Sequence, residues 1–275
     1  MTFSIVARSA DGQALGVAVA SKFLAVGAAV PAAEADVGAL ATQSYANLAY
    51  RPQGLALLRS GVAAADVVAG LTAADPGRAQ RQLGVVGPVG DGATYTGDGC
   101  HDWAGGLAGD GYAIQGNILA GKQVVVAMAE AWAASEAAAP LGHRLLAALA
   151  AGDRAGGDRR GRQSAALLVV TKGQGYGGTS DVLAELRVDD HPDPVRELRR
   201  LLDLHALYFD KPDPDRLLEL TGDLADEVAG RLADLGYRDR KLDAALASWA
   251  GVENLEERMV PGRIDPLVLA HLRRD

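Results

Sequence analysis

The N-terminal stretch constrains the fold of this chain more than any other segment. Residues 3–8 alternate apolar and polar side chains with the two-residue period of a β-strand. Asp11-Gly12 is a strong hairpin signal, and the apolar run 15–20 that follows is typical of a second strand. Antiparallel pairing brings the end of strand two beside the start of strand one, so we expect Ser21 and Lys22 to lie near Thr2.

Thr2 is a candidate nucleophile. A small residue in second position normally permits removal of Met1, which would leave Thr2 with a hydroxyl and a free α-amino group. That amine has a reference pKa of about 7.7–8, so near neutral pH it can accept the hydroxyl proton. A Thr paired with its own amine is a known activated nucleophile. The ammonium group of Lys22 would favour the deprotonated amine, and we predict Thr2 and Lys22 as catalytic residues.

The composition narrows the class of protein. The chain has 275 residues, 49% of them hydrophobic, and a net charge of −8, so no global positive field attracts nucleic acid or an acidic membrane. The single cysteine, Cys100, excludes an internal disulfide and a cysteine metal cluster, and no histidines stand at metal-ligand spacing. We therefore predict no metal and no cofactor. Because no stretch resembles a signal peptide or a membrane span, we expect a cytoplasmic protein with no membrane partner.

The order of the predicted elements indicates the architecture. After the hairpin, strands are predicted at residues 24–30 and 37–42, helices at 54–60 and 63–74, and strands at 83–86, 93–96 and 112–119. Helices follow at 122–135 and 141–151, strands at 165–170 and 183–188, and a helix from Pro194 with Asp193 as its N-cap. Strand blocks separated by helix pairs argue against a doubly wound parallel sheet. We predict an α+β fold, a four-layer α-β-β-α sandwich, over residues 1–208.

This layer order, with a Thr at position 2, resembles the N-terminal-nucleophile (Ntn) hydrolases, and their proteasome-type branch most of all. In that branch a Thr begins strand one, a polar segment ends strand two, a Gly/Ser-rich turn precedes the central helix, and an Asp followed by Ser introduces a late strand. The matching positions are Thr2, Ser21-Lys22, residues 115–117 and residues 158–164. The chain departs from the pattern at strand two, where Ser21 replaces an Asp, and the catalytic lysine of the branch comes later than Lys22.

A more specific resemblance covers nearly the whole chain. It is carried by the strings TFSIVARSADGQALGVAVASKFLAVGAAVP, GALATQSYAN, YAIQGNILAG, GGDRRGRQSAALLVV and LRVDDHPDPV. By these strings the chain is identified as a member of the domain of unknown function 1028 (DUF1028) family, which is grouped with the Ntn hydrolases by fold. The resemblance implies the fold and leaves the substrate open.

Polar groups at the predicted strand ends complete the candidate site. Asn117, or a backbone N–H near Gly116, would support the oxyanion, and Asp158 would tune the Thr2 amine. The arginine-rich loop 156–163 suits a carboxylate, which a guanidinium binds bidentately. Substrate binding is predicted for Ser21, Gln43, Ser44, Gln115, Arg162, Gln163 and Ser164.

These residues predict hydrolysis of an amide (C–N) bond in a small, carboxylate-bearing substrate. Two alternatives stay open. The chain could be a non-catalytic ligand-binding or assembly protein that keeps the fold, or an enzyme that uses another group, for instance a site built on Asp158 and Arg162.

Residues 209–275 are interpreted as a small helical domain of their own. Leu224, Val228, Leu232 and Leu235 form an apolar stripe at helical spacing. The string EVAGRLADLGYRD resembles peptidoglycan-binding-like helical domains. The ligand of this domain is unknown, and we interpret the domain as a packing or dimerisation appendage. Large apolar helices on the outer layers lead us to expect a homo-oligomer.

Overall fold

The computed structural model describes residues 2–274, which divide into two units. The first unit ends at Leu202 and the second begins at Asp203. The expected boundary at 208/209 lies further along the same helix, which runs from Pro194 to Phe209. Met1, whose removal the sequence predicts, lies outside the described residues.

Two antiparallel sheets form the first unit. In chain order its strands are β1 (Thr2–Arg8), β2 (Ala14–Ser21), β3 (Pro31–Glu34), β4 (Gly38–Gln43), β5 (Gln82–Val86), β6 (Ala93–Thr96), β7 (Gly105–Gly109), β8 (Tyr112–Asn117), β9 (Ser164–Thr171) and β10 (Val182–Val188). Its helices are α1 (Val26–Ala29), α2 (Tyr50–Arg59), α3 (Ala64–Ala73), α4 (Gln123–Ala134), α5 (Leu141–Arg154) and α6 (Pro194–Phe209), which continues into the second unit. One sheet has the strand order β10-β9-β2-β1-β8-β7 and the other β3-β4-β5-β6.

The predicted N-terminal hairpin is confirmed. Strands β1 and β2 pair antiparallel with Phe3 opposite Ala20. Gly12 adopts the left-handed region at φ 75°, which glycine enters without steric cost. The Asp11 carboxylate accepts hydrogen bonds from the Gln13 N–H at 3.1 Å and the Ser9 hydroxyl at 2.5 Å, which fixes the turn.

The structure differs from the predicted elements in two places. Residues 24–30 are not a strand: they form a turn and the short helix α1, and the third strand begins only at Pro31. A short apolar run predicts burial but does not distinguish a strand from a buried helix. Val26 and Val30 are buried, as such a run predicts. Strand β7 was not predicted because its sequence, GGLAG, has little intrinsic β-propensity. Its glycines are needed for packing, since a Cβ at Gly106 would lie 2.7 Å from the Ile114 carbonyl oxygen.

Three apolar layers hold the first unit together. The six-stranded sheet packs one face against α4, α5 and the start of α6, with Phe3, Ile5 and Met128 in that core. Its other face meets the four-stranded sheet through a second core that includes Val6 and Val17. Helices α2 and α3 cover the far face of the four-stranded sheet. The predicted mixed α/β fold with antiparallel sheets is therefore confirmed.

The second unit is small and largely helical, as predicted. It contains a two-stranded ladder, β11 (Leu218–Glu219) with β12 (Arg263–Ile264), and the helices α7 (Gly222–Asp234), α8 (Leu242–Val252) and α9 (Pro266–Leu272). Its own apolar core surrounds Trp249, which is 2% exposed. The segment after Asp213 forms a short 3₁₀ turn, Pro214–Arg216. Among the described residues, no helix has the length and apolar character needed to cross a membrane.

Candidate active site

A row of polar residues lies across one end of the six-stranded sheet. Thr2 is opposite Asn117 on β8, and Ser21 is opposite Ser164 on β9. The hydroxyl oxygens of Thr2 and Ser21 are 3.0 Å apart. All four residues are buried, Thr2 being the most exposed at 7%. The sequence prediction that the hairpin places Ser21 beside Thr2 is confirmed.

Lys22 and Asp158 fasten the end of β2 to the loop that precedes β9. The Lys22 backbone N–H donates to Asp158 Oδ2 over 2.7 Å, and its exposed ammonium donates to the Arg162 carbonyl over 3.3 Å. The Asp158 carboxylate also accepts from the Arg160 backbone N–H at 2.8 Å. The side chains of Lys22 and Asp158 thus join the end of β2 to the loop. Their predicted roles in tuning the Thr2 amine stay predictions.

The remaining residues predicted in the loop are also engaged by the protein. Arg162 donates to Asp153 Oδ1 over 2.8 Å, and that carboxylate raises the pKa of Arg162. The Gln163 carbonyl accepts from the His191 N–H at 2.7 Å. The fully buried Ser164 hydroxyl donates to the Phe23 carbonyl and accepts from the Val26 N–H. Ser164 therefore holds the turn between β2 and α1.

A buried polar network connects Thr2 to the four-stranded sheet. Gln43 donates to the Thr2 carbonyl over 3.2 Å and to Gln82 Oε1 over 2.8 Å. Its own Oε1 accepts from the Ser4 hydroxyl at 2.7 Å, and Ser4 accepts from Gln115 Nε2 at 2.6 Å. Gln43 and Gln115 are buried between the two sheets, where their hydrogen bonds hold strand β1. Their role in substrate binding stays a prediction.

The orientation of the Asn117 amide follows from this network. The Gly116 carbonyl can only accept, so the Gln82 nitrogen, 2.8 Å away, must face it. Gln82 Oε1 then faces Asn117 and must receive a donor, which is Asn117 Nδ2 at 2.9 Å. This leaves Asn117 Oδ1 buried with no hydrogen-bond partner. Buried acceptors with no partner are few in native proteins.

Sequence reasoning missed Gln82. It lies at the start of β5 and is 0% exposed, yet it directly follows a polar stretch of sequence. Its only sequence signal is a long amide side chain directly before an apolar strand. That signal cannot be separated from an ordinary loop residue until the two sheets are brought face to face.

The backbone is strained around this end of the sheets. Ser44 and Tyr45 follow β4 with φ of 55° and 40°, Ile118 follows β8 with φ of 49°, and Ala25 lies in the turn after β2 with φ of 53°. Residues other than glycine in this region cost of order 1–3 kcal/mol and concentrate at functional sites. Ser44, a predicted binding residue, thus belongs to a strained turn that directly follows Gln43, a hydrogen-bond partner of Thr2.

Asp75 supports that strained turn and was also missed. Its buried carboxylate accepts from Arg81 Nε at 2.9 Å, from the Tyr50 hydroxyl at 2.8 Å and from Asn47 Nδ2 at 3.1 Å. The Arg81 guanidinium in turn donates to the Tyr45 carbonyl. The hydrogen bond from Arg81 is the largest cause that holds the pKa of Asp75 well below its usual range. Burial raises the pKa of Tyr50, and its bond to Asp75 adds to that shift.

The rim of the site combines cations with exposed apolar side chains. Lys22, Arg159, Arg160 and Arg162 lie on one side, together with two carboxylates, Asp153 and Asp158. Phe23 (53% exposed), Leu24 (60%) and Tyr45 (59%) follow the ends of β2 and β4. The Tyr45 hydroxyl lies 3.1 Å from His101 Nε2. Within residues 2–274, no group of three or more His, Cys, Asp or Glu is arranged to hold a metal ion.

The sequence matches one family model over most of the first unit. That model, described as a family of unknown function (DUF1028), matches residues 2–198. The chain belongs to the DUF1028 family. A second model, described as "Putative peptidoglycan binding domain", matches residues 208–272, so the DUF1028 region is followed by a peptidoglycan-binding-like domain.

A solved structure of the same family is similar to this DUF1028 chain. The crystal structure of protein SPO2555 from Silicibacter pomeroyi shares 32% sequence identity, with a TM-score of 0.67. The match covers 82% of this chain and 92% of the Silicibacter protein. No curated protein matches this DUF1028 chain.

Proposed function

We propose that this DUF1028 chain is an Ntn-type amidohydrolase whose nucleophile is the hydroxyl of Thr2. The packing of the first unit supports the proposal, because helices α4 and α5, the two sheets, and helices α2 and α3 follow one another in the order expected of an Ntn-type α-β-β-α sandwich. Thr2 begins a strand of the inner sheet pair, at the position of the nucleophile in that class.

The observation that carries the proposal is the lone acceptor opposite Thr2. Asn117 Oδ1 is buried, has no partner, and belongs to the residue that faces Thr2 in the strand register. Once Met1 is removed, the α-amino group of Thr2 is a donor at this end of β1. We assign Asn117 to accept from that amine and so to orient it toward the Thr2 hydroxyl. This role replaces the oxyanion role predicted from the sequence, since the Asn117 Nδ2 already donates to Gln82.

The reaction then proceeds in two steps, formation of an ester on Thr2 and hydrolysis of that ester. The neutral amine takes the hydroxyl proton while Thr2 Oγ1 bonds to the amide carbonyl carbon. The C–N bond breaks, the proton passes to the departing nitrogen, and the acyl group remains as an ester on Thr2. Water attacks that ester, giving up one proton to the amine, and the carboxylic acid leaves as the hydroxyl is restored. Ser21, with its oxygen 3.0 Å from Thr2 Oγ1, keeps the hydroxyl in place.

The rim supports a substrate with a carboxylate and an apolar group. Lys22, Arg159, Arg160 and Arg162 come together there, although the chain as a whole carries −8. Arg160 and Arg162 are about half exposed, at 46% and 48% for their side chains, so they can reach an anion in solvent. Phe23 and Tyr45 offer apolar surface to an acyl group. An N-acyl amino acid has both features, and we propose this class as the substrate.

A mass measurement followed by an activity screen tests the proposal. Untagged protein should have the mass expected after loss of Met1, and it should release free amino acid from a panel of N-acyl amino acids. Thr2→Ala also permits Met1 removal but has no hydroxyl, and it should be inactive. Thr2→Ser should keep part of the activity. If Met1 is retained, or if Thr2→Ala is as active as the original protein, the nucleophile assignment is wrong.

The screen also separates the non-catalytic alternative. A protein that keeps the fold for ligand binding would bind N-acyl amino acids in calorimetry without releasing product, with Thr2→Ala and the original chain giving equal affinities.

A further inference from the structure

Strand β10 ends the six-stranded sheet with an open edge. It pairs with β9 on one side, and no other strand of residues 2–274 pairs with its opposite side. A register shift interrupts the ladder between Val182 and Ala184, but residues 184–188 pair with β9 without a break. An edge strand presents a row of unpaired backbone N–H and C=O groups, which is a template for another strand.

The two faces of this strand differ in character. Ala184 and Val188 are buried against the helix-covered core, and Leu186 packs beside them. Glu185 and Arg187 point to the other face and are exposed, bordering a groove of 490 Å³ between β10 and β3. The four-stranded sheet therefore leaves this face of β10 uncovered.

The sequence of the edge is complementary to itself. If two copies pair antiparallel with Leu186 opposite Leu186, then Glu185 of each copy lies opposite Arg187 of the other. On the helix-covered face, Ala184 lies opposite Val188 and continues the apolar core. Opposite charges that face each other across a strand pair are stabilising, and like charges are destabilising. We propose that β10 is a dimerisation edge, on which a second copy of this chain pairs to form one continuous sheet.

The charges also select the register of this dimer. If the register shifts so that Glu185 lies opposite Glu185 of the other copy, or Arg187 opposite Arg187, like charges face one another. A shift that exchanges faces would put the charged residues against the apolar core. The present partner of Arg187 is Asp189 at 3.1 Å, which is 53% exposed, so Arg187 can change partner at little cost.

Because a single strand edge buries less surface than a standard interface, we expect a weak dimer with a dissociation constant in the micromolar range or above. Sedimentation velocity of the full chain over increasing concentration should show a reversible monomer–dimer equilibrium. Glu185→Arg creates two Arg–Arg pairs and should weaken the dimer at least tenfold. The double variant Glu185→Arg/Arg187→Glu restores two opposite pairs and should recover the dimer.

Circular dichroism of each variant checks that the fold is kept. A chain that stays monomeric at all concentrations would overturn the proposal, and so would a dimer that Glu185→Arg leaves unchanged.

Disulfide trapping tests the register independently. In a Cys100→Ser background, Leu186→Cys should form a covalent dimer on mild oxidation, because residues directly opposite in a ladder have Cβ atoms about 4.5–5.5 Å apart. Val188→Cys in the same background faces Ala184 of the partner copy and should not form one. Equal trapping of both variants, or of neither, would contradict the pairing centred on Leu186.

Discussion

Asn117 on the six-stranded sheet donates its Nδ2 to Gln82 on the four-stranded sheet over 2.9 Å, and Gln82 donates back to the carbonyl of Gly116 over 2.8 Å. We call these two hydrogen bonds, which join the two sheets through Gln82, the clasp. Because a backbone carbonyl can only accept, the clasp has one orientation, and it leaves the amide oxygen of Asn117 buried without a hydrogen-bond partner. The orientation of the Asn117 amide is therefore set by Gln82, a residue of the other sheet.

Replacing Gln82 with Met should disrupt both structure and activity. Met has a similar length but cannot bond to Gly116 or Asn117, and each buried polar group left without a partner costs about 1–3 kcal/mol. We expect a lower free energy of unfolding in urea and a loss of amide hydrolysis larger than the loss of folded protein. Gln80→Met, at an exposed position two residues earlier, is the matched control and should change neither property. Full activity in Gln82→Met would contradict the role of the clasp.

Ser21 and Ser164 lie opposite one another but should respond differently to substitution. Ser21→Ala removes the partner of the Thr2 hydroxyl, and a hydrogen bond worth about 0.5–1.5 kcal/mol corresponds to a two- to twelvefold fall in kcat/KM. Ser164→Ala removes the hydroxyl that holds the β2–α1 turn, so its main effect should be a lower melting temperature and not a lower kcat/KM. Steady-state kinetics and thermal denaturation of both variants separate the two roles. The same pattern in both variants would show that Ser21 is only structural.

Because of Asp75, the free energy of unfolding should fall at acid pH. Its pKa in the folded state lies well below the value of about 3.9 expected in the unfolded chain. The stabilisation is therefore complete above the unfolded pKa and is lost as the pH falls toward the folded pKa. Asp75→Asn should lower stability at pH 7 and flatten the fall in stability between about pH 5 and pH 2. Urea denaturation of both proteins across that pH range gives the difference between their free energies of unfolding. A difference that does not change with pH would contradict this role of Asp75.

The boundary of the second unit can be tested with two fragments. The buried Arg258 pairs with Asp265 at 2.5 Å, and it also donates to the carbonyls of Leu207 and Ala206. A fragment of residues 203–275 keeps those carbonyls, whereas 209–275 leaves donors of Arg258 without partners. We expect the longer fragment to melt cooperatively at a higher temperature. Equal melting temperatures would favour the boundary expected from the sequence.

Much of the fold could be predicted because local patterns carry it. The hairpin follows from two-residue alternation on either side of Asp11-Gly12, and α3, β6 and α5 follow from apolar periodicity. The errors fall where local pattern is ambiguous. Residues 24–30 are apolar without a period that separates helix from strand, and β7 is rich in glycine, so neither could be assigned without the sheets that pack against them.

The site was predicted in part for the same reason. Thr2 and Ser21 could be brought together because a hairpin fixes which residues of two sequential strands are neighbours. Gln43, Gln115 and Ser164 were recognised as polar residues at strand ends, but the sequence does not say whether such a side chain faces solvent or the other sheet. Asp75 and Gln82 were missed because their partners are distant in sequence and each looks like an ordinary turn residue.

The sequence by itself determined most of the strands, the hairpin that brings Ser21 beside Thr2, the family and the helical tail, since each depends on neighbours within a few residues or on long specific strings. Only the tertiary structure decided which polar groups are satisfied. The two sheets face each other through residues that lie dozens of positions apart, and hydrogen bonds between them fix the Asn117 amide in one orientation. A buried acceptor becomes visible only when every donor around it has been assigned a partner.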